Sequence, residues 1–280
     1  MAKAAEAPEM TGAIERTLRA LKSVAEHGEF TPRDLAEDVG IPTSTAYRLL
    51  QSLGAMNYVE KSSHGSYRVG RELVRLSSMV AAQFDYGAIA RPFLARLSDA
   101  FHETCAFALY LPNEHSCSII ETINAVHPLQ YVVEKYKTRA LVWGALGRAM
   151  LPWLDEADVR IAIERQGPPL EPDLPPMTFE ALQAEADRVR RQGCFVATSP
   201  SALGTNGTAA PVFNARGQLF GSLGVTIPAV RYDAEMQPTI SAAVIDAARG
   251  MSAALGHGGS RLRRGGGGGG GDAQHRSLSA

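Results

Sequence analysis

This chain has little of what a secreted, membrane-spanning or catalytic protein needs. It carries 3 cysteines in 280 residues. Cys105, Cys117 and Cys194 are an odd, dispersed set, which argues against a disulfide framework and for reduced thiols in the cytoplasm. No apolar run reaches the roughly 20 residues that span a bilayer, and no signal peptide is expected ahead of the first helix. A membrane partner is therefore not expected. There is no repeat period. There is no Gly-x-Ser-x-Gly elbow, no P-loop and no glycine-rich dinucleotide fingerprint, so the chain does not read as an enzyme. His102-Glu-Thr-Cys105 lacks a second Cys or His pair at ligand spacing, and Cys105 falls in an apolar run. A structural histidine is the expectation there, with no metal and no cofactor. Charge of one sign is lacking too: the net charge is -1, and the first 84 residues hold equal numbers of acidic and basic side chains, so bulk charge does not point to a polyanion.

What is present is concentrated between Thr31 and Val69. A helix is expected over about Gly12 to His27, with Ile14, Leu18, Leu21, Val24 and Ala25 as its apolar stripe. Thr31 suits an N-cap and Pro32 the first position of a second short helix, with Leu35, Ala36 and Val39 inward. Gly40 stands where the chain must turn, and glycine takes positive φ without steric cost. Pro42 opens a third helix with Ala46, Leu49, Leu50 and Leu53 inward. Ser44, Tyr47, Arg48 and Gln51 then share its outer surface, three or four residues apart. Hydroxyls suit phosphates, arginine grips guanine or phosphate, and glutamine pairs with adenine.

Two short β-prone runs follow, Tyr58-Val59 and Tyr67-Arg-Val69, joined by Ser62-Ser-His-Gly-Ser66. The order is that of a winged helix-turn-helix, whose third helix can lie in the major groove of double-stranded operator DNA. Thr31, Arg33, Thr43, Ser44, Thr45, Tyr47, Arg48, Gln51, Lys61 and Arg68 are the candidate DNA-binding residues. From Thr43 to Arg75, five arginine and lysine side chains face only Glu60 and Glu72, a local basic strip. The alternative is a helical hairpin whose polar face is merely solvated.

The run Gly40-Ile-Pro-Thr-Ser-Thr-Ala-Tyr-Arg-Leu-Leu50, followed by Tyr67-Arg-Val-Gly70 and a leucine-rich helix, resembles the IclR family of bacterial transcriptional regulators. The resemblance covers about Gly12 to Gly256. It implies an α+β chain with an N-terminal winged helix-turn-helix domain over residues 1–70 and a linker helix over 71–84. It also implies a GAF-like effector-binding domain with an antiparallel sheet over 85–257. It further implies a homodimer or a dimer of dimers, with a small-molecule effector as second partner. Residues 258–280, with Arg261-Leu-Arg-Arg264 and a glycine run, read as a disordered tail.

In the second half, helices are expected over Tyr86–Phe101, Gly144–Leu154, Glu156–Gln166, Thr178–Gln192 and Asp233–Leu255. Strands are expected over Thr104–Leu111, Cys117–Ile123, Leu129–Val133, Cys194–Ala197, Gly207–Phe213 and Gln218–Ile227. Three stretches resemble the family's effector pocket: Trp143 to Arg148, a glycine-rich loop opening a helix; Gly204 to Pro211; and Gly224 to Pro228. From these, Trp143, Gly144, Ala145, Leu146, Thr205, Asn206, Gly207, Thr208 and Thr226 are the candidate effector residues. Thr226 matches a position that the family often fills with serine. The plainer reading is that these glycines serve turns and close contacts. Ala197, Pro200 and Gly207 stand where the family typically has Asp, Glu and Cys, so the effector is expected to differ from the usual small organic acids. Trp143 either narrows the pocket or stacks on a ring, which points to an organic or aromatic acid from a catabolic pathway. The rival function is a sensor or enzyme of GAF-like fold without regulatory DNA binding.

Overall fold

The computed structural model describes residues 12–62, 65–83, 85–127, 132–167, 177–197 and 204–258. The chain divides into two compact units: residues up to Ala90 with Glu134–Lys137, and Arg91–Val133 with Thr138 onward.

The first unit contains α1 (Ala13–Glu26), β1 (Glu29–Phe30), α2 (Pro32–Val39), α3 (Thr43–Ala55), β2 (Val59–Lys61), β3 (Tyr67–Val69) and α4 (Arg71–Gln83). Its local chemistry is as expected at the turns. Thr31 and Asp34 form a reciprocal capping box that starts α2. Gly40 ends α2 in the left-handed region at φ 72. The strands make an antiparallel sheet in the order β1-β3-β2. β1 was not anticipated, since two residues give no periodicity. It is held by register with Tyr67 and Arg68 and by Phe30 stacked on Tyr67.

The core of this unit is Ala20, Val24, Leu35, Leu50, Leu53, Val59 and Tyr67, with their neighbours. The expected inner stripe of α1 needs correction. Ile14 is 71% and Leu18 55% exposed, and Ala25 is exposed as well. The buried line is Ala20, Ser23 and Val24. Small residues let α1 come close to α2, where the Ser23 hydroxyl donates to Asp38 at 2.8 Å. Val74, Met79 and Val80 on α4 are exposed too.

The second unit takes most of α5 (Tyr86–Phe101), then β4 (Thr104–Leu111), β5 (Ser116–Ile123), β6 (Thr138–Ala140), α6 (Gly144–Met150), α7 (Glu156–Glu164) and α8 (Phe179–Gln192). β7 (Phe195–Val196), β8 (Thr205–Phe213), β9 (Leu219–Pro228) and α9 (Gln237–Ala254) complete it. Its sheet is antiparallel throughout, ordered β6-β5-β4-β9-β8-β7. Successive strand residues face opposite sides. Ala106, Ala108, Cys117 and Ile119 meet Leu141, Met150, Val159 and Leu182 on one side. On the other, the α9 residue Ser252 accepts from the Phe213 amide at 3.0 Å, and the α9 residue Gly250 lies against the Phe93 ring of α5.

Several boundaries differ from expectation. Among the described residues the edge strand beyond β5 is β6; of the expected strand Leu129–Val133 only Val132 and Val133 are described, and neither is in a strand. The helix expected to reach Leu154 ends at Met150 and tightens into a 3-10 turn at Pro152. The Ser63–His64 part of the wing turn, residues 198–203 and the tail beyond Gly258 lie outside the described residues. No helix among the described residues is long and apolar enough to cross a membrane.

Candidate nucleic-acid interface and effector site

On α3 the inward residues are Ala46, Leu50 and Leu53. This leaves Thr43, Ser44, Tyr47, Arg48 and Gln51 exposed, with Thr45 half-buried. Tyr47 is 43% exposed although large and aromatic. Arg48 and Lys61 have no carboxylate partner among the described residues. The other expected contacts are already engaged. Arg33 pairs with Glu37 at 3.0 Å, and Arg68 pairs across the hairpin with Glu60 at 3.1 Å. The Thr31 hydroxyl donates to Asp34 at 2.9 Å and accepts from its amide. The Thr31 amide also donates to the Asp34 carboxylate at 2.8 Å, and this backbone bond first, with the hydroxyl second, holds the carboxyl below its ordinary value.

The wing is tied to α4. Gly70 donates to Tyr58 O at 2.8 Å and Glu72 N to Asn57 O at 3.0 Å. A Cβ on Gly70 would stand 2.2 Å from Asn57 O, so only glycine allows this approach. α4 therefore starts from the same backbone that ends α3 and opens the wing.

In the second unit the candidate effector residues separate by sheet face. Gly207 lies against Ala145: a Cβ built on it would meet the Ala145 Cβ at 2.6 Å. Thr226 is opposite both Gly207 and Thr104 in register, so these three form a row across β8, β9 and β4 under α6. Thr205 is on the same side by alternation and is buried. The Ser222 hydroxyl donates to Leu146 O at 2.7 Å and pins α6 to β9. Asn206 and Thr208 face the other side, where Gln237 of α9 donates to the Thr208 hydroxyl at 3.1 Å. The structure thus brings Ala145, Leu146, Thr205, Gly207 and Thr226 together and puts Asn206 and Thr208 behind the sheet. Gly144 is exposed at φ 75. The half-buried Trp143 indole donates to Gln166 O at 2.7 Å, which fixes the ring against the α7 side of the core.

Thr104 was missed from sequence. It is 1% exposed, and its hydroxyl accepts from the Ala125 amide at 3.1 Å. Only strand register reveals that it neighbours Thr226. The row itself is neutral, with hydroxyls and no ionised side chain. Elsewhere in the domain, burial pushes the thiols of Cys105 and Cys117 up to about 12. His102 is exposed at φ 57 just beyond α5, and Glu103 is bound to Arg231. The described residues contain no group of His, Cys, Asp and Glu able to hold a metal ion.

A winged helix-turn-helix joined to an α/β domain with an antiparallel sheet defines a DNA-binding transcriptional regulator with a ligand-binding second domain. Residues 13–63 match the IclR helix-turn-helix domain and residues 79–253 the C-terminal domain of the bacterial transcriptional regulator IclR. The chain belongs to the IclR family. It is 25% identical to the HTH-type transcriptional regulator RhmR of Escherichia coli K12 over 87% of this chain and 93% of that protein. Its fold resembles an IclR-type regulator of Silicibacter sp. TM1040, with TM-score 0.77, 24% identity and coverage of 88% and 97%. It also resembles an IclR homolog of Microbacterium hydrocarbonoxydans solved with 4-hydroxybenzoate, with TM-score 0.69, 19% identity and coverage of 87% and 99%.

Proposed function

We propose that this regulator reads operator DNA with α3 as a symmetric dimer or dimer of dimers. We propose further that an organic or aromatic acid bound between α6 and β8–β9 sets its operator affinity. The observation that carries the first part is the outer face of α3: an arginine with no carboxylate partner among the described residues, flanked by Ser44, Tyr47 and Gln51, all exposed. Arg48 and Gln51 are the base readers, and Lys61 on the wing is a phosphate contact. Pairing two copies doubles the few base pairs one winged helix can touch.

The row Thr104–Thr226–Gly207 supports the second part. It offers hydroxyls at a helix–sheet seam with no carboxylate in the row to repel an anion, which suits an acid held by hydroxyl donors and apolar contact. The 4-hydroxybenzoate bound by the Microbacterium protein supports an aromatic monocarboxylate as the first compound to try. Control passes through α4, whose first turn is bonded to the wing. The four-part domain division given from sequence and a cytoplasmic location belong to the same reading, as does the absence of enzymatic activity.

Calorimetry with 4-hydroxybenzoate and related benzoates tests the site. Thr226→Ala should weaken binding of whichever compound binds, while Thr208→Ala, behind the sheet, should leave affinity near that of the wild type. Equal losses in both variants would contradict the α6 side as the binding face.

A further inference from the structure

Most basic side chains of the first unit are spent on carboxylates. Arg19 holds Glu15 at 2.5 Å, Arg33 holds Glu37 at 3.0 Å, and Arg75 holds Glu72 at 2.6 Å. Arg68 and Arg71 share Glu60 at 3.1 and 3.4 Å. Among the described residues Arg16 is an exception that the sequence reading did not single out: it is exposed and has no ion-pair partner.

Arg16 lines a groove of about 410 Å³ between α1 and the turn Gly40-Ile41-Pro42. That turn delivers the chain directly into Thr43, the first residue of α3. The first turns of a recognition helix approach base edges, while the sugar-phosphate strands pass beside the elements that flank its N-terminal end. The groove is on that flank. Its carboxylate, Glu15, is neutralised by Arg19. α3 has no acidic residue in its first turn to repel an anion. The groove is thus left with one uncompensated positive charge, at Arg16.

We propose that Arg16 seats a DNA backbone phosphate in this groove, docking α1 against the strand next to the bases that α3 reads. This rests on α3 being the reading helix. A phosphate contact positions the protein and carries no sequence information, which separates it from Arg48.

Fluorescence anisotropy against salt concentration tests this with two duplexes: one of fixed mixed sequence, and one selected from a random pool by the wild-type protein. Arg16→Gln should flatten the slope of log affinity against log salt by about 0.9 per bound protomer. It should weaken binding to both duplexes by the same factor. Arg16→Lys, which keeps the charge, should restore most of the slope. Thermal melting of the variants should match the wild type, which separates loss of contact from loss of fold. Arg48→Ala, measured in parallel, should instead narrow the gap between the two duplexes; if it does not, the reading helix has been misassigned. An unchanged slope in Arg16→Gln overturns the phosphate seat, as does a loss confined to the selected duplex.

Discussion

Gly207→Ala should destabilise the effector domain because α6 and β8 touch where the new methyl would go. An added Cβ would stand 2.6 Å from the Ala145 Cβ, whereas carbon atoms rest about 3.5–4.0 Å apart. α6 would have to lift by about 1 Å, and overpacking of this kind costs about 1–3 kcal/mol. For a domain of this size, each kcal/mol lowers the melting temperature by about 2–4 °C, so a drop of about 2–12 °C is expected. Ala145→Gly removes the opposing methyl and alone costs about 0.5–1 kcal/mol. Combined, the two changes should be less harmful than their sum, with a coupling of about 1–2 kcal/mol by differential scanning calorimetry. Strict additivity would refute the close approach of α6 to β8. Because both residues border the Thr226 row, Gly207→Ala should also lower ligand affinity, and the Ala145→Gly partner should recover part of it.

Thr31→Ala should cost the DNA-binding domain about 0.5–2 kcal/mol by removing the α2 cap. The Asp34 carboxyl, held low by Thr31, contributes stability that is present above its ordinary value of 3.8 and lost as the pH falls through its lowered folded value. Thr31→Ala removes the hydroxyl but keeps the backbone amide that lowers Asp34 most, so it should flatten the acid limb of a stability-against-pH profile only in part; an unchanged limb would contradict the hydroxyl's share in the cap. Cys105 and Cys117, buried and pushed up to about 12, should resist iodoacetamide at neutral pH in the folded protein and react after unfolding. Rapid modification of either thiol under native conditions, read by mass spectrometry, would show that the sheet face carrying that thiol opens.

The DNA-binding half was legible in sequence because its signals are local. Thr31, Pro32, Gly40 and Pro42 each act within one turn, and their order defines two helices and the angle between them. α4 also begins and ends where the pattern placed it. Long-range features were not legible. β1 exists only by pairing with β3, and β6 only by pairing with β5. Alternation on β8 was readable, but the face that carries α6 was not, so Thr205, Asn206, Gly207 and Thr208 were grouped although the sheet separates them. Thr104 escaped because its closeness to Thr226 depends on register between strands far apart in sequence. The inner face of α1 was misjudged because small residues, Ala20 and Ser23, make the closest approach while Ile14 and Leu18 stay outside.

The most direct test of the central claim is the affinity of the full chain for a duplex selected by it, titrated with and without a saturating benzoate that calorimetry has shown to bind. A ligand can shift the DNA equilibrium only by its differential affinity for the two states, and coupling of about 1–3 kcal/mol is typical. The account predicts a change in operator affinity of about 5- to 150-fold. It predicts that Thr226→Ala blunts this response without altering ligand-free DNA binding, and that Arg48→Ala narrows sequence preference without altering ligand affinity. Operator affinity that stays constant at ligand saturation, or sequence preference undiminished by Arg48→Ala in a folded protein, would contradict it.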